Sequence, residues 1–147
     1  MNEKYRMLTK IVRNMKLSKA KNMNILNDNE SEALRYITKH RGTTQSEIVE
    51  YLGVDKALVT RIVLKLVKDA YIIVENGTDK RKKHLFPTEK GLKLKLDNQL
   101  YEIDYYKALF EILDKNEEDA FFKTLEKIYL ESKKRRKNYN ERKQISL

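Results

Sequence analysis

Hydrophobic residues recur every three or four positions along most of this chain, which predicts a mainly helical protein. The first such run predicts an amphipathic helix over 3–19. Asn27 can cap the next helix, and Thr44 opens a T-x-x-E capping box, the strongest helix start in the sequence. Gly53 allows a sharp turn, and Asp55 can cap the helix after it. A helix-turn-helix is therefore expected in this part of the chain.

The second helix of this pair has one apolar side and one cationic side. Its core side is formed by Val59, Ile62, Val63 and Leu66. By helical periodicity the opposite side carries Ala57, Arg61, Leu64 and Lys68, with Thr60 and Lys65 on its flanks. A helix that is apolar toward its partner and cationic on its outer side suits a DNA groove.

A strand-like pattern follows this helix. Residues 71–74 are β-branched or aromatic, Asn76-Gly77 is a turn signal, and residues 84–86 form a returning strand. The hairpin tip between the strands, residues 79–83, is strongly basic. The predicted fold is mainly α with a small β wing, a winged helix-turn-helix. In such a fold the helix enters the major groove and the basic hairpin can reach the minor groove.

Two further helices are predicted after the wing. Thr88 can cap the first, whose apolar stripe runs from Leu92 to Leu113. The pattern breaks over 114–116 and resumes in a last helix, which is expected to close at the basic run 133–137 before a frayed tail. Because stripes this long cannot be buried against a small winged-helix body, we interpret these helices and the N-terminal one as dimerisation arms.

The predicted organisation is a single domain over 1–147, with a DNA-binding part at 28–90 and dimerisation helices at 1–20 and 91–137. The residues expected at the dimer interface are apolar members of the helical stripes: Tyr5, Leu8, Val12, Leu109, Phe110, Leu113, Phe121, Leu125 and Ile128.

The charge balance favours a polyanionic partner. The chain has 32 Lys and Arg against 22 Asp and Glu, a net charge of +10, which favours nucleic acid first and an anionic membrane second. There is no cysteine, no membrane-length apolar run and no signal-peptide core, so a cytoplasmic protein is expected. His40 and His84 lack a second ligand at metal spacing, and no nucleophile elbow or glycine-rich phosphate loop is present. We therefore expect no metal, no cofactor and no enzyme activity.

Four motifs follow one another in the middle of the chain. They are the T-x-x-E-I-x-x-x-L helix from Thr44, the V-T-R-I-V-x-x-L run from Val59, the D-x-R wing from Asp79 and the T-E-K-G run from Thr88. In this order and spacing they resemble the multiple antibiotic resistance regulator (MarR) family of bacterial winged-helix repressors. Ala70 stands where that family usually has Gly, and costs about 1 kcal/mol if the position needs a left-handed backbone. Pro87 replaces the family's usual Leu.

The resemblance implies a homodimer that binds a pseudo-palindrome in double-stranded DNA and that a small-molecule effector, often aromatic or phenolic, releases. On the recognition helix the implied DNA contacts are Lys56, Ala57, Thr60, Arg61 and Lys65, and at the start of the preceding helix they are Thr44 and Gln45. In the wing they are Asp79, Lys80, Arg81, Lys82 and Lys83. By the family's pattern Asp79 orients the hairpin and Arg81 enters the minor groove.

Several of these residues have a second interpretation. Arg61 can pair with guanine, contact a phosphate or be an ordinary solvated charge. Leu64 can touch a thymine methyl or pack on a neighbouring helix, and packing is the favoured interpretation. Residues 133–137 are more simply a solvated helix end than a DNA contact. Some aromatic residues could line an effector cleft, although aromatic residues at helical spacing more often belong to the core or the dimer seam. They are Tyr36, Tyr101, Tyr105, Tyr106 and Phe110.

Two rival functions fit the same composition. A winged helix can be an interaction module that binds RNA or an acidic protein partner. A basic amphipathic chain can also lie on a membrane surface. A regulator differs from both in its preference for one DNA sequence.

Overall fold

The structure is a computed structural model that describes residues 2–23, 26–79 and 81–145. After a short 3₁₀ helix at Glu3–Arg6, the elements are α1 (Met7–Asn22), α2 (Asp28–Lys39), α3 (Gln45–Leu52), α4 (Lys56–Lys68), β1 (Ile72–Asn76), β2 (Lys83–Pro87), α5 (Glu89–Phe110) and α6 (Lys115–Ile145). The chain is therefore mainly α with one small hairpin, as the hydrophobic pattern predicts.

The chain divides into two compact units, residues 1–105 and 106–147. The first contains α1 to α4, the hairpin and most of α5. The second contains the end of α5 and α6, and in it the Phe110 ring packs against Phe121 and Phe122 at centroid distances of 5.3 and 4.8 Å.

The hydrophobic core of the first unit lies where α2, α3, α4 and the hairpin meet. The fully buried large side chains are Leu34, Ile37, Ile48, Val59, Leu66, Ile72 and Leu85. They include Val59 and Leu66 from the predicted core side of α4, so the helical periodicity identified this side correctly. Each such side chain stabilises the fold by about 1.5–3 kcal/mol relative to an exposed one.

Side-chain caps start the helices where the sequence predicts. Asn27 Oδ1 accepts from the Glu30 amide at 2.9 Å, and Asp55 Oδ1 accepts from the Leu58 amide at 2.7 Å. Thr44 Oγ1 accepts from the amide three residues on at 3.3 Å. These contacts satisfy backbone donors that the first helical turn leaves unpaired.

The acids three residues after Asn27 and Thr44 have side-chain partners of their own. The Glu47 carboxylate accepts from the Thr43 hydroxyl at 2.6 Å. The Glu30 carboxylate pairs with Lys65 on α4 at 2.6 Å. The Glu30 pair therefore joins α2 to α4, a contact that local spacing did not predict, whereas the Glu47 contact is local.

The wing is an antiparallel pair in which Ile72 faces Pro87, Val74 faces Leu85 and Asn76 faces Lys83. Both strands are longer than predicted, and the predicted turn at Asn76-Gly77 is wrong by one residue because Asn76 is still paired. Lys83, predicted at the hairpin tip, is the first residue of β2.

In the turn between α2 and α3, Thr43 forms an isolated antiparallel bridge with Leu85 of the wing. Leu85 donates its amide to the Thr43 carbonyl at 2.8 Å, and the Gly42 amide donates to the Leu85 carbonyl at 2.8 Å. Gly42 has φ +87, which suits glycine. The hairpin is therefore fixed to the helix-turn-helix by backbone hydrogen bonds.

The last helix begins earlier and ends later than predicted. Asp114, assigned from sequence to a break, is its N-cap: Asp114 Oδ1 accepts from the Glu117 amide at 2.8 Å, and Glu117 Oε1 accepts from the Asp114 amide at 3.2 Å. The backbone hydrogen bond from Glu117 holds the pKa of the Asp114 carboxyl below its usual range. The helix continues past Lys137 to Ile145, where a frayed tail was expected.

Among the helices of the described residues, none has the length and apolar character needed to cross a membrane.

Candidate nucleic-acid interface

The outward side of α4 is exposed and largely cationic. Lys56, Ala57 and Arg61 are exposed, as the predicted DNA-facing side requires. Leu64 is 64% exposed, so the favoured interpretation that it packs on a neighbouring helix is wrong. The opposite side of α4 is buried in the core, which fixes the direction in which this surface faces.

Thr60 joins α4 to the start of α3. Its hydroxyl donates toward the Lys56 carbonyl at 3.0 Å and the Gln45 side-chain oxygen at 3.3 Å, the two acceptors sharing one proton. The structure thus brings the predicted contacts at the α3 start beside those on α4. Gly53, at φ +67, provides the left-handed residue that turns the chain between the two helices.

Lys65, predicted as a DNA contact, has a partner within the chain. Its amine lies 2.6 and 3.0 Å from the two oxygens of Glu30, whose side chain is only 5% exposed. The hydrogen bond with Glu30 raises the pKa of the Lys65 amine, against the opposing effect of desolvation. Lys65 therefore ties α4 to α2.

The wing tip presents cations on a turn that Asp79 organises. Asp79 Oδ1 accepts from the Arg81 amide at 3.1 Å, and its carbonyl accepts from the Lys82 amide at 3.0 Å. Arg81, Lys82 and Lys83 are exposed. Lys80, predicted at this tip, lies outside the described residues. The role of Asp79 as the residue that orients the wing agrees with these contacts.

His84 anchors the returning strand, a role that the sequence did not reveal. Its Nδ1 lies 2.7 Å from the Gly42 carbonyl, so this nitrogen carries a proton and donates to that oxygen. The signal was a polar residue in a strand pattern, but its partner is 42 residues away.

The end of α4 is held by the T-E-K-G segment that follows the wing. Thr88 Oγ1 donates to the Ala70 carbonyl at 2.6 Å and accepts from the Gly91 amide at 3.1 Å. Lys90 Nζ donates to the Asp69 carbonyl at 2.8 Å and lies 4.8 Å from the centre of the Tyr71 ring. We call these contacts to residues 69–71 the α4 clamp.

Gly91 lets α5 approach the α4 clamp. A Cβ built on this residue would lie 2.1 Å from the Tyr71 carbonyl oxygen, which is backbone and cannot swing aside. Glycine is therefore required by close packing at this position, and its conformational freedom is not the reason.

A cavity of about 150 Å³ lies between α1, α2 and α5. Its lining is charged and polar, and consists of Lys16, Lys19, Leu26, Asp28, Ser31, Glu32, Leu34, Arg35, Lys95, Asn98 and Glu102. Lys19 and Glu102 pair across it at 3.0 Å. The buried Asn98 side-chain oxygen has no hydrogen-bond partner among the described residues. The aromatic residues considered for an effector cleft are not part of this lining.

Comparison with known proteins gives the same architecture. The MarR family model matches residues 26–82. The crystal structure of MarR superposes with a TM-score of 0.72 at 21% identity, covering 91% of this chain and 99% of MarR. MepR, a transcription regulator of the Staphylococcus aureus multidrug efflux pump MepA, gives 0.72 at 20% identity, covering 86% of this chain and 96% of its own. The matched residues 26–82 contain the helix-turn-helix and most of the wing, and in this part the chain resembles the MarR family.

A further similar structure is that of a Staphylococcus aureus MepR variant bound to an oligodeoxyribonucleotide. Its TM-score is 0.68 at 22% identity, with 89% of this chain and 98% of MepR covered. No curated protein matches the chain. At these identities the likeness to solved structures is one of fold, the winged helix of transcription regulators.

The two departures from the MarR-family pattern have different structural outcomes. Ala70 has φ +61, the left-handed conformation for which the family's glycine is suited. Its amide donates to Val67 and the next amide to Leu66, the pair of hydrogen bonds that defines a Schellman motif. Pro87 is the last residue of β2 and still faces Ile72, so the strand is intact.

Within the part of the chain that the structure describes, no group of three or more His, Cys, Asp or Glu residues is placed to hold a metal ion. Neither histidine is near a set of ligands: His84 bonds Gly42, and His40 stacks on Tyr36 at 4.2 Å.

Proposed function

We propose that this protein is a regulator of the MarR type, a homodimeric, sequence-specific DNA-binding repressor. The observation that carries the proposal is the exposed cationic side of α4, together with a wing in which Arg81, Lys82 and Lys83 are exposed and Asp79 accepts a hydrogen bond from the Arg81 amide. A helix with a buried apolar side and an exposed cationic side can enter a major groove without unfolding. The DNA-bound MepR relative has the same fold.

The proposed interface has two parts. Lys56, Ala57, Thr60 and Arg61 enter the major groove, with Thr44 and Gln45 at the neighbouring backbone. Asp79, Arg81, Lys82 and Lys83 form the wing part, in which Arg81 enters the minor groove and the lysines contact phosphates. Lys65 is assigned a positioning role instead, because its amine is bound to Glu30.

The dimer is proposed from apolar side chains left exposed on α1 and α6. Leu8 is 51% and Val12 39% exposed on α1, and Phe121 is 40% and Ile128 54% exposed on α6. Monomeric proteins rarely leave so many large apolar side chains in water. A twofold dimer would present two copies of α4 to half-sites about one helical turn apart, roughly 34–36 Å.

The test is selection of bound sequences from random duplex DNA in moderate salt. Wild type is expected to recover an inverted repeat. If Arg61 reads guanine, Arg61→Ala should remove the base preference at one position of the repeat. The lost discrimination is expected to be about 1–3 kcal/mol. Arg81→Ala should weaken binding, and Arg13→Ala, an exposed arginine on α1, is the matched control.

Two outcomes would overturn the proposal. Recovery of no motif by wild type, with equal weak binding to all duplexes, would favour the RNA-binding or acidic-protein-binding alternative. Equal effects of Arg61→Ala, Arg81→Ala and Arg13→Ala would mean that charge alone drives binding.

We assign the effector, as part of this proposal, to the α1–α2–α5 cavity. A cavity of about 150 Å³ holds a benzene-sized molecule. Lys16, Lys19 and Arg35 are paired with carboxylates of the same lining. The feature left for a ligand is the unpaired Asn98 oxygen, which can accept a hydrogen bond from a neutral donor such as a phenol hydroxyl. Phenol is a suitable first compound, titrated against the protein–operator complex, with benzoate, which has no proton to donate, as the comparison. Release that Asn98→Leu abolishes would support the assignment, and release that Asn98→Leu leaves unchanged would contradict it.

A further inference from the structure

The outward side of α4 carries one large apolar side chain, Leu64, among cations and a small residue. Leu64 is 64% exposed, and its neighbours on that side are Ala57, Arg61 and Lys68. Isolated exposed leucines are common on protein surfaces. This one differs because it follows Arg61 by one turn on the side of α4 that the proposed function places against DNA.

The distance along α4 from Ala57 to Leu64 is similar to the width of the major groove. Seven residues separate it from Ala57, a rise of roughly 10 Å at about 1.5 Å per residue. The major groove is about 12 Å wide. Arg61 lies between the two on the same side. A helix seated deeply enough for Arg61 to reach a base edge therefore brings Leu64 to the base pairs one turn further along.

The chemistry of the base edges then restricts the partner. Donors and acceptors line the major groove, and the one apolar group that the four bases offer there is the 5-methyl group of thymine. A leucine side chain makes no hydrogen bond and gains nothing against a phosphate. We propose that Leu64 reads the 5-methyl group of a thymine, and so sets the specificity of one position in each half-site. This rests on the proposed DNA-binding function.

The experiment compares thymine with deoxyuridine, which differs by that methyl group alone. Wild type and Leu64→Ala are selected against two random duplex libraries, one with thymine and one with deoxyuridine in its place. The recovered operator is then titrated with deoxyuridine at each thymine in turn. For wild type we expect one position per half-site where the substitution weakens binding about fourfold, corresponding to about 0.8 kcal/mol for a buried carbon group.

Leu64→Ala should bind the thymine and deoxyuridine operators equally at that position. Val67→Ala is the matched control, because Val67 is 39% exposed and lies one turn further along, on the flank of the same helix. It should keep the wild-type discrimination. Because both side chains are exposed, neither substitution is expected to unfold the protein, and thermal melting checks this.

The possible results test the role of Leu64 separately from the proposed DNA-binding function. A motif recovered from both libraries, with no thymine at which the methyl group matters to wild type, overturns the role of Leu64 and leaves the regulator intact. Discrimination that persists in Leu64→Ala overturns it too, since another residue then reads the methyl group. Recovery of no motif from either library overturns the proposed function, and this inference with it.

Discussion

Ala70 is a single residue held in a backbone conformation that suits glycine. Its φ is +61, imposed by the hydrogen bonds that close α4. Replacing Ala70 with Gly removes a contact between Cβ and the backbone, so the free energy of unfolding should rise by up to about 1 kcal/mol. Urea denaturation of wild type and Ala70→Gly measures this change.

The control for Ala70→Gly is the preceding residue. Asp69 has φ −84, so Asp69→Gly relieves no strain and adds freedom to the unfolded chain. That substitution should lower stability by about 0.5–1 kcal/mol. If both glycine variants lose stability alike, Ala70 is not strained.

Because Asp114 caps α6 with an ionised carboxylate, the free energy of unfolding should depend on pH in the acid range. Its pKa is lowered by the hydrogen bond from the Glu117 amide, so the folded state binds the proton less tightly than the unfolded state does. The stabilisation is present above about pH 4 and is lost as pH falls through the lowered pKa. Asp114→Asn should remove this part of the pH dependence, because an amide caps without titrating.

Unfolding curves recorded from about pH 2 to about pH 6 test the cap. Asp119→Asn, at an exposed position of α6, is the control and should retain the wild-type profile. An Asp114→Asn profile parallel to wild type throughout would exclude the contribution of this carboxylate.

Packing between elements depends on Gly91, where α5 meets the α4 clamp. The absent Cβ would lie 2.1 Å from the Tyr71 carbonyl oxygen. Gly91→Ala therefore forces α5 away from residues 69–71 and should lower the free energy of unfolding by at least about 1–3 kcal/mol. Lys93→Ala, exposed on the same helix, should stay within about 0.5 kcal/mol of wild type in the same denaturation experiment. Equal stability of the two variants would mean that α5 can move without cost.

The ion pair between Lys65 and Glu30 couples α4 to α2 asymmetrically. The Glu30 side chain is 5% exposed and that of Lys65 49%. Lys65→Met leaves a buried carboxylate without its cation, whereas Glu30→Gln frees an amine that can reach water. Lys65→Met should therefore lower the urea midpoint more than Glu30→Gln does, and the double variant should recover part of the loss. Additive losses in the double variant would show that the pair contributes no coupling.

The features predicted well from the sequence are those that depend only on residues close together in the chain. The caps at Asn27, Thr44 and Asp55 act over three residues, and the core side of α4 follows from helical spacing alone. Asp114 belongs to the same local class, and its D-x-x-E spacing could have been found. The partners of Glu30 and His84 are 35 and 42 residues away, so their roles depended on a fold that the sequence pattern gave only in outline.

Many large apolar side chains remain exposed on the surface of a single chain. Leu8 on α1 is among the residues assigned to the dimer interface and is 51% exposed. In a twofold interface each residue is buried twice, so Leu8→Glu should weaken dimerisation by about 3–6 kcal/mol. Operator affinity should fall with it, because one chain alone reaches one half-site.

Sedimentation equilibrium over a range of protein concentrations measures the dimerisation, with operator titration on the same samples. Thr9→Glu introduces the same charge at the next, also exposed, position and should leave both dimerisation and binding near wild type. Equal dimerisation of the two variants would place the interface away from this side of α1. A monomeric Leu8→Glu that keeps full operator affinity would contradict the two-half-site mode of binding itself, since a single α4 would then suffice for recognition.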